Sequence, residues 1–157
     1  MRVHRIGVQH LNGTAATAFS GLGGVYGAGR WHHSGKPIIY TASSLSLATL
    51  EILVHINRSL KIEPYVSWII DVPDSLIAIP RALPRNWASD IEATRTFGDE
   101  WLSQGADVGI RVPSVIVKTE DIVLLNPLHT EYKRFWVVSG PHPVVFDPRH
   151  IDPSTIT

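Results

Sequence analysis

The chain has 157 residues, of which 44% are hydrophobic, and its 14 Lys and Arg balance its 14 Asp and Glu. This composition predicts one globular domain, residues 1–157, and the lack of a basic excess argues against nucleic-acid binding. The absence of cysteine excludes disulfide bonds, thiolate zinc sites and a cysteine nucleophile. The N-terminus has no signal-peptide pattern and no apolar run is long enough to cross a membrane, so we expect a cytoplasmic protein.

The first half of the chain predicts two strands and two helices around a glycine-rich loop. Glycine fills five of the nine positions 21–29, which predicts a loop over 21–35. Ser43 or Ser44 supplies the N-cap of the second helix, and apolar side chains cover nearly its whole circumference, so we expect this helix to be buried. In chain order the predicted elements are a strand at 2–6, a helix at 14–19, a strand at 38–41 and a helix at 44–58.

The second half predicts mainly strands, with one long helix among them. This helix starts near Ser89 or Asp90, has a candidate break at Gly98, and ends at Gly105, because glycine commonly follows the last helical turn. The predicted strands cover 65–71, 109–117, 122–125, 135–138 and 143–146, with a short edge strand at 76–79. Residues after Asp147 are predicted to be irregular. Together these elements predict a single α+β domain with mixed or antiparallel strands.

The glycine-rich loop does not match a known phosphate-binding loop. Tyr26 and His32 stand where the third glycine of a dinucleotide-binding fingerprint belongs, and the Gly-Lys-Ser/Thr of a P-loop is absent. The loop nevertheless leads into Arg30, and glycines before an arginine suit a backbone that folds closely around a ligand. The guanidinium of arginine is well matched to phosphate oxygens. Trp31 is the one tryptophan that we expect to contact a ligand instead of the core.

Glu51 is the only carboxylate in the apolar helix predicted at 44–58. Since Glu is rarely buried without a partner, a cation should compensate it, and Arg30 and His55 are the candidates. Two interpretations remain open at this point: a structural ion pair, or a carboxylate in a dry site that meets positive charge on a substrate. Ser114 lies in an apolar strand without the Gly-x-Ser-x-Gly motif of hydrolases, so we expect it to hydrogen-bond a ligand. The adjacent histidines 32 and 33 are predicted to point apart, and no metal-binding motif is present.

Several short motifs, in their order along the chain, resemble the RES domain, a family named for its arginine, glutamate and serine. The motifs are Gly29-Arg30-Trp31, Tyr40-Thr41-Ala42, Ala48-Thr49-Leu50-Glu51-Ile52-Leu53-Val54-His55, Val112-Pro113-Ser114 and Leu125-Asn126-Pro127. The three name-giving residues are here Arg30, Glu51 and Ser114. The resemblance implies a toxin of a bacterial toxin–antitoxin pair, with an ADP-ribosyltransferase-like core that consumes NAD+. It also implies a helix-turn-helix (Xre-type) antitoxin that blocks the active site.

The resemblance assigns the candidate residues to one substrate, NAD+, with no metal. Arg30, Tyr40 and Glu51 are the expected catalytic residues. Arg30 would hold the pyrophosphate or a ribose hydroxyl, Tyr40 would line the nicotinamide pocket, and Glu51 would stabilise positive charge on the ribose. The expected NAD+-binding residues are Ser114, Tyr26, Trp31, Gly29, His55 and Asn126.

The acceptor of ADP-ribose stays open at this stage. Transfer to a cellular protein is the first interpretation, although Thr49 stands where transferases that modify arginine carry the first glutamate of Glu-x-Glu. Water or phosphate as the acceptor, in a glycohydrolase or phosphorylase that depletes NAD+, is the alternative. A non-catalytic module that binds a nucleotide or a protein is the second alternative. The apolar content also allows a homodimer.

Overall fold

Seven strands in the described part of the chain, residues 1–56 and 63–147 of the computed structural model, form one sheet. They are β1 (Arg2–Val8), β2 (Ile39–Ala42), β3 (Tyr65–Asp71), β4 (Ile77–Ala78), β5 (Gly109–Pro113), β6 (Asp121–Leu125) and β7 (Val137–Val144). Their order across the sheet is β4-β5-β6-β2-β1-β3-β7. The β4–β5 pair is parallel and the other pairs are antiparallel, so the sheet is mixed, as predicted.

Five α-helices accompany this sheet in the described residues, which confirms the α+β class. They are α1 (Gln9–Asn12), α2 (Ala15–Ala18), α3 (Leu22–Tyr26), α4 (Leu45–Leu53) and α5 (Ile91–Gln104). Short 3-10 helices at Asp74–Leu76 and Arg134–Trp136 precede β4 and β7. None of the helices within 1–56 and 63–147 is long and apolar enough to cross a membrane.

The sheet is almost divided between β1 and β2. These strands share a single residue pair, His4 with Ala42, whereas β1 pairs with β3 along its whole length. The guanidinium of Arg5 bridges the junction, because Nη1 donates to the carbonyl oxygen of Tyr40 at 3.0 Å and Nη2 to Oδ1 of Asn12 at 3.2 Å. Burial lowers the pKa of Arg5 to about 10. The Arg5 side chain thus adds a hydrogen bond between β1 and β2, whose main chains pair at only one position.

Side chains alternate between the two faces of the sheet, and each face has its own apolar core. One core includes Leu47 of α4 and Trp101 of α5. The other includes Phe19, which follows α2. Tyr40 packs against the first core and Ile39 belongs to the second, as the two-residue period of a strand requires. The face covered by α4 and α5 therefore carries the candidate site residues.

Most predicted elements are confirmed, but the boundaries differ at several places. Residues 22–26 of the predicted loop form α3, the strand predicted at 109–117 ends at Pro113, and α5 continues through Gly98. The strands predicted at 135–138 and 143–146 are one strand, β7, which tolerates Pro141 and Pro143 because it lies at the sheet edge. The helix predicted at 44–58 ends already at Leu53, so its predicted end near residue 58 is wrong. The tail after Asp147 lies outside the described residues.

The prediction that the helix carrying Glu51 is buried on all sides is wrong. Within α4 only Leu47 and Ala48 are buried, while Leu45 is 45% exposed. Ser46 and Leu50 are exposed as well, so within the described part of the chain one side of α4 meets solvent. Ser44 caps the first turn as predicted, since its Oγ accepts a hydrogen bond from a backbone N–H three residues later.

Candidate active site

The carboxylate of Glu51 is held by the hydroxyl of Ser114. Oγ of Ser114, a buried residue just after β5, donates to Oε1 of Glu51 at 2.7 Å. The same Oγ accepts hydrogen bonds from the backbone N–H groups of Ile116 and Val117, each at 3.0 Å. These donors occupy the lone pairs of the hydroxyl, so its hydrogen points at Glu51. The turn after β5 thus fixes one carboxylate oxygen and leaves Oε2 available to a ligand.

Neither cation expected beside Glu51 pairs with it. Nη1 of Arg30 donates to the carbonyl oxygen of Trp87 at 3.2 Å, and His55 lies exposed in the turn after α4. No described Lys, Arg or His forms an ion pair with Glu51. Because α4 is an outer helix and Glu51 is only half-buried, water supplies the solvation that burial would have required from a cation. The described contacts therefore contradict a structural ion pair.

Tyr40 and His32 form a hydrogen-bonded pair inside the glycine-rich loop. Nδ1 of His32 lies 2.9 Å from Oη of Tyr40. Each of these atoms also accepts a backbone N–H: Nδ1 that of Gly29 at 3.2 Å, and Oη that of Trp31 at 3.0 Å. Burial raises the pKa of Tyr40 and lowers the pKa of His32. Both side chains are therefore held in their neutral forms.

Two glycines of the loop lie where a side chain has no room. A Cβ on Gly29 would lie 2.5 Å from Oη of Tyr40. A Cβ on Gly24 would lie 2.5 Å from the carbonyl oxygen of Lys36 and 2.9 Å from Nε2 of His32. At these two positions the backbone closes around groups of the protein itself, and ligand binding by the loop stays a prediction.

Helix α5 holds the main chain of Arg30 from the other side. Oγ1 of buried Thr94 donates to the carbonyl oxygen of Arg30 at 2.7 Å. The approach of the helix depends on Gly98, since a Cβ there would lie 1.8 Å from the carbonyl oxygen of Trp31. Gly98 therefore provides space for close packing, and this explains a glycine inside an uninterrupted helix.

His33 points the opposite way from His32, as predicted, and contacts α5. Its Nδ1 lies 2.9 Å from Oδ2 of Asp99, and its Nε2 lies 2.8 Å from Oε1 of Glu92. The hydrogen bonds to Asp99 and Glu92 raise the pKa of His33. Adjacent histidines therefore have opposite preferences, His33 for the charged form and His32 for the neutral form, and both tie the loop that carries Arg30 to its surroundings.

A groove of about 520 Å³ lies between α4 and strands β1, β3 and β7. α4 contributes Leu45, Thr49 and Leu53 to its wall, which are spaced four residues apart on one helix face. Glu51 lies two residues from Thr49, or about 200° around the helix axis. The groove is thus on the side of α4 away from Glu51 and does not contain the carboxylate.

The described residues offer a carboxylate, an arginine and an aromatic ring on one sheet face. Arg30 is near enough to Tyr40 for its charge to lower the pKa of that phenol, against the larger opposite effect of burial. Within 1–56 and 63–147, no group of three or more His, Asp or Glu side chains is placed to hold a metal ion. The arrangement suits charge stabilisation at a cationic centre beside an anion-binding guanidinium.

A family model described as RES domain matches residues 2–147. The chain belongs to the RES domain family. The expected family resemblance is therefore confirmed.

Known RES-family relatives are similar over most of the chain. A protein named Toxin Res from Yersinia enterocolitica is 40% identical over 138 residues, which are 85% of this chain and 91% of its own. Another Toxin Res, from Photorhabdus laumondii, is 37% identical over 123 residues, 76% of this chain and 79% of its own. A Sphingobium protein named Prs ADP-ribosylating toxin is 36% identical over 126 residues, 75% of this chain and 78% of its own.

The RES domain of this chain brings its predicted residues together in two groups. Arg30, Tyr40 and Gly29 belong to the glycine-rich loop and β2, while Glu51 and Ser114 join α4 to the end of β5. No hydrogen bond among the described residues links the two groups. Both groups lie on the same face of the sheet. A substrate that contacts both groups would therefore lie along that face, beside α4.

Other predicted binding residues have different surroundings. The indole of Trp31 is 1% exposed and stacks on Trp87 with ring centroids 6.3 Å apart, so the prediction that it contacts a ligand is wrong. Tyr26 is 84% exposed on α3. Asn126 is buried, and its Oδ1 accepts a hydrogen bond from the backbone N of Leu128 at 3.0 Å, which shapes the turn after β6.

His32 is the site residue that sequence reasoning missed. Its side chain is 2% exposed and connects Tyr40 to the main chain of Gly24 and Gly29. The sequence predicts that His32 and His33 point apart, but it carries no signal for which of them points inward. Only the packing of α5 against the loop decides this.

Proposed function

We propose that this RES-family chain is a toxin that cleaves the bond between nicotinamide and ribose in NAD+ and transfers ADP-ribose to a protein. The observation that carries the proposal is the Glu51 carboxylate, oriented by Ser114 and free of a competing cation among the described residues. The name of the Sphingobium relative, Prs ADP-ribosylating toxin, supports the same chemistry. An ADP-ribosyltransferase-like core and action in the cytoplasm are parts of this proposal.

The proposed reaction needs negative charge more than acid catalysis. When the bond from C1′ of the ribose to the nicotinamide nitrogen breaks, its electron pair stays on that nitrogen and nicotinamide leaves as a neutral molecule. C1′ becomes oxocarbenium-like until the acceptor bonds to it and gives up a proton. Glu51 would stabilise this positive charge through Oε2, because Ser114 already holds Oε1. Ser114 thus acts in the proposal by positioning Glu51, in place of the ligand contact expected from sequence.

Arg30 is the proposed anchor for the pyrophosphate. One N–H of its guanidinium is bound to the carbonyl oxygen of Trp87, which fixes the plane of the group while other N–H donors stay available. Thr94 fixes the carbonyl of the same residue. A guanidinium held at both its tip and its main chain loses little further entropy when it binds a phosphate oxygen.

A protein is the proposed acceptor, and the missing Glu-x-Glu motif does not contradict it. Thr49 occupies the first position of that motif, but its Oγ1 donates to the carbonyl oxygen of Leu45 and it lines the groove on the far side of α4. A glutamate at position 49 would point away from Glu51 in the same manner. The motif rule therefore does not apply when the carboxylate is carried by a helix. The protein named Prs is the first acceptor to test.

A helix-turn-helix antitoxin is the proposed partner of this toxin. We place its contact on residues 21–31 or in the cleft next to them. Leu22 and Tyr26, 51% and 84% exposed on α3, give this segment apolar side chains that a partner would cover. Leu22→Asp should weaken binding of the co-expressed antitoxin at least tenfold while NAD+ turnover stays unchanged. A complex that leaves these two residues exposed would disprove the placement.

The decisive experiment uses NAD+ labelled in its adenylate phosphate, incubated with the purified chain and with either cell lysate or purified Prs. Label on a discrete protein band supports the proposal. Free labelled ADP-ribose or its phosphate favours the NAD+-depleting alternative, and no turnover favours a binding module. Glu51→Gln should reduce turnover at least about 100-fold, the typical effect of removing one group that stabilises transition-state charge. Glu131→Gln, at an exposed carboxylate, is the matched control and should be as active as the unmodified protein.

A further inference from the structure

The contacts around His32 and Tyr40 determine where each hydrogen lies. A backbone carbonyl can only accept, so the carbonyl oxygen of Gly24 requires a hydrogen on Nε2 of His32, and the neutral ring then has none on Nδ1. The N–H of Gly29 points at Nδ1, at 3.2 Å, and at the backbone carbonyl oxygen of His32, at 3.1 Å. With no hydrogen on Nδ1, the 2.9 Å contact to Oη of Tyr40 is made by the phenolic hydrogen. Nε2 carries the remaining ring hydrogen, and its contact at 3.2 Å is the carbonyl oxygen of Gly24. The neutral Nε2–H tautomer is the one that satisfies every contact.

The hydroxyl of Tyr40 is fully used within the protein. It donates its hydrogen to His32 and accepts the N–H of Trp31 at 3.0 Å. Because the hydroxyl already donates one hydrogen bond and accepts another, a substrate would contact the aromatic ring of Tyr40 and not its hydroxyl. Tyr40 therefore does not act as a proton donor at this site in the resting protein.

The two acceptor atoms of the pair bind the amides on either side of Arg30. Nδ1 of His32 shares the N–H of Gly29 with the backbone carbonyl oxygen of His32, and Oη of Tyr40 takes the N–H of Trp31. Nε of Arg95 donates to the carbonyl oxygen of Gly29 at 2.9 Å from the α5 side. The main chain at Arg30 is thus fixed before and after the residue, and its direction depends on this pair.

We propose that His32, as the neutral Nε2–H tautomer, is a positioning residue that locks the Tyr40 hydroxyl and thereby orients Arg30 for its anionic ligand. This inference rests on the proposed function only in naming the ligand of Arg30 as the pyrophosphate of NAD+. The charges nearest to His32 are those of Asp99 and Arg95 on α5, and burial lowers its pKa. Protonation of Nδ1 would remove the acceptor of the Tyr40 hydroxyl hydrogen, so the neutral ring is the competent form.

Kinetics of substituted proteins test the positioning role. His32→Leu removes the acceptor and should raise KM for NAD+ at least about tenfold while kcat changes by less than about threefold, because ligand anchoring is lost and the carboxylate is untouched. Tyr40→Phe should act in the same direction. The double variant should be no worse than the poorer single variant within about twofold, since both residues serve one network. His32→Asn places Oδ1 near the position of Nδ1 and should restore most of the loss.

The contrary results are equally specific. A kcat loss confined to Tyr40→Phe, with additive effects in the double variant, would show that the hydroxyl acts directly on the substrate and would overturn the proposal. His10→Asn, at a histidine with an exposed side chain, is the control for a histidine substitution. Thermal denaturation of each variant shows whether it is folded. If His32→Leu does not fold, the comparison of His32→Asn with the unmodified protein still tests the proposal.

Nuclear magnetic resonance separates this proposal from the proposed function. In protein labelled with ¹⁵N at histidine, the ring nitrogens of His32, assigned through His32→Asn, should show the Nε2–H tautomer at pH 8. An Nδ1–H tautomer would overturn the assignment whether or not the protein consumes NAD+. Conversely, if the His32 signals are as expected but the protein does not consume NAD+, the positioning role of His32 stands and the proposed activity is disproved.

Discussion

Gly98→Ala should separate α5 from the loop that carries Arg30. The added Cβ would lie 1.8 Å from the carbonyl oxygen of Trp31 and 2.8 Å from its carbonyl carbon. The helix and the loop must therefore move apart by roughly 1.5 Å to reach ordinary contact distance. The obstacle is main chain, which cannot rotate away as a side chain can.

The expected loss of stability follows from two opposing terms. Alanine favours a helix over glycine by about 1 kcal/mol, while overpacking a tight contact costs about 3 kcal/mol at the upper end of its usual range. The net loss is about 2 kcal/mol, which lowers Tm by about 4–8 °C for a domain of this size. NAD+ turnover should fall as well, because Thr94 can no longer hold the carbonyl of Arg30.

Scanning calorimetry and chemical denaturation measure this effect directly. Gly23→Ala is the matched control, because Gly23 also lies in a helix and a Cβ there would have no neighbour within 4 Å. The control should be as stable as the unmodified protein or slightly more stable. A Gly98→Ala variant with unchanged Tm and full activity would refute the claim that α5 packs directly on the Trp31 main chain.

Two further changes should have separable effects. Ser114→Ala leaves two backbone N–H groups and the Glu51 carboxylate without their partner. The free energy of unfolding should fall by about 2 kcal/mol, and NAD+ turnover should fall at least tenfold. An active, fully stable variant would contradict the role of Ser114. For His33, the folded state raises the pKa above 6.5, so its stabilising contribution is complete below pH 6.5 and is lost as pH rises through the raised value. His33→Gln should remove this part of the pH dependence in urea denaturation at pH 6 and pH 8, and an unchanged pH dependence would exclude the Asp99 contact as its source.

Local chemistry made several elements predictable from the sequence alone. Ser44 and Asp90 each accept a backbone N–H three residues later, and Gly105 has the left-handed conformation that ends α5. These features depend on neighbouring residues in the chain, so composition and spacing contain them. The α+β class and the motifs around Arg30, Glu51 and Ser114 are sequence properties in the same sense, and they led to the family that comparison then confirmed.

The tertiary structure decided which of these residues touch. Ser114 lies 63 positions after Glu51, and their hydrogen bond depends on where β5 ends beside α4. The sequence suggests a cation as the partner of Glu51, because it cannot show that, among the described residues, one side of α4 is exposed and the carboxylate is only half-buried. Layer order, and not apolar composition, determines whether a helix is enclosed.

The same reason explains the glycine-rich loop. Its spacing excluded the known phosphate loops, but Gly24 and Gly29 make room for His32 and Tyr40, and these contacts require β2 to be in place. Amino-acid sequence by itself determined the elements, their caps and the family of this protein. Only the folded chain determined that Trp31 is core, that His32 points inward, and that Ser114 serves Glu51, because hydrogen-bond direction and burial arise where distant segments meet.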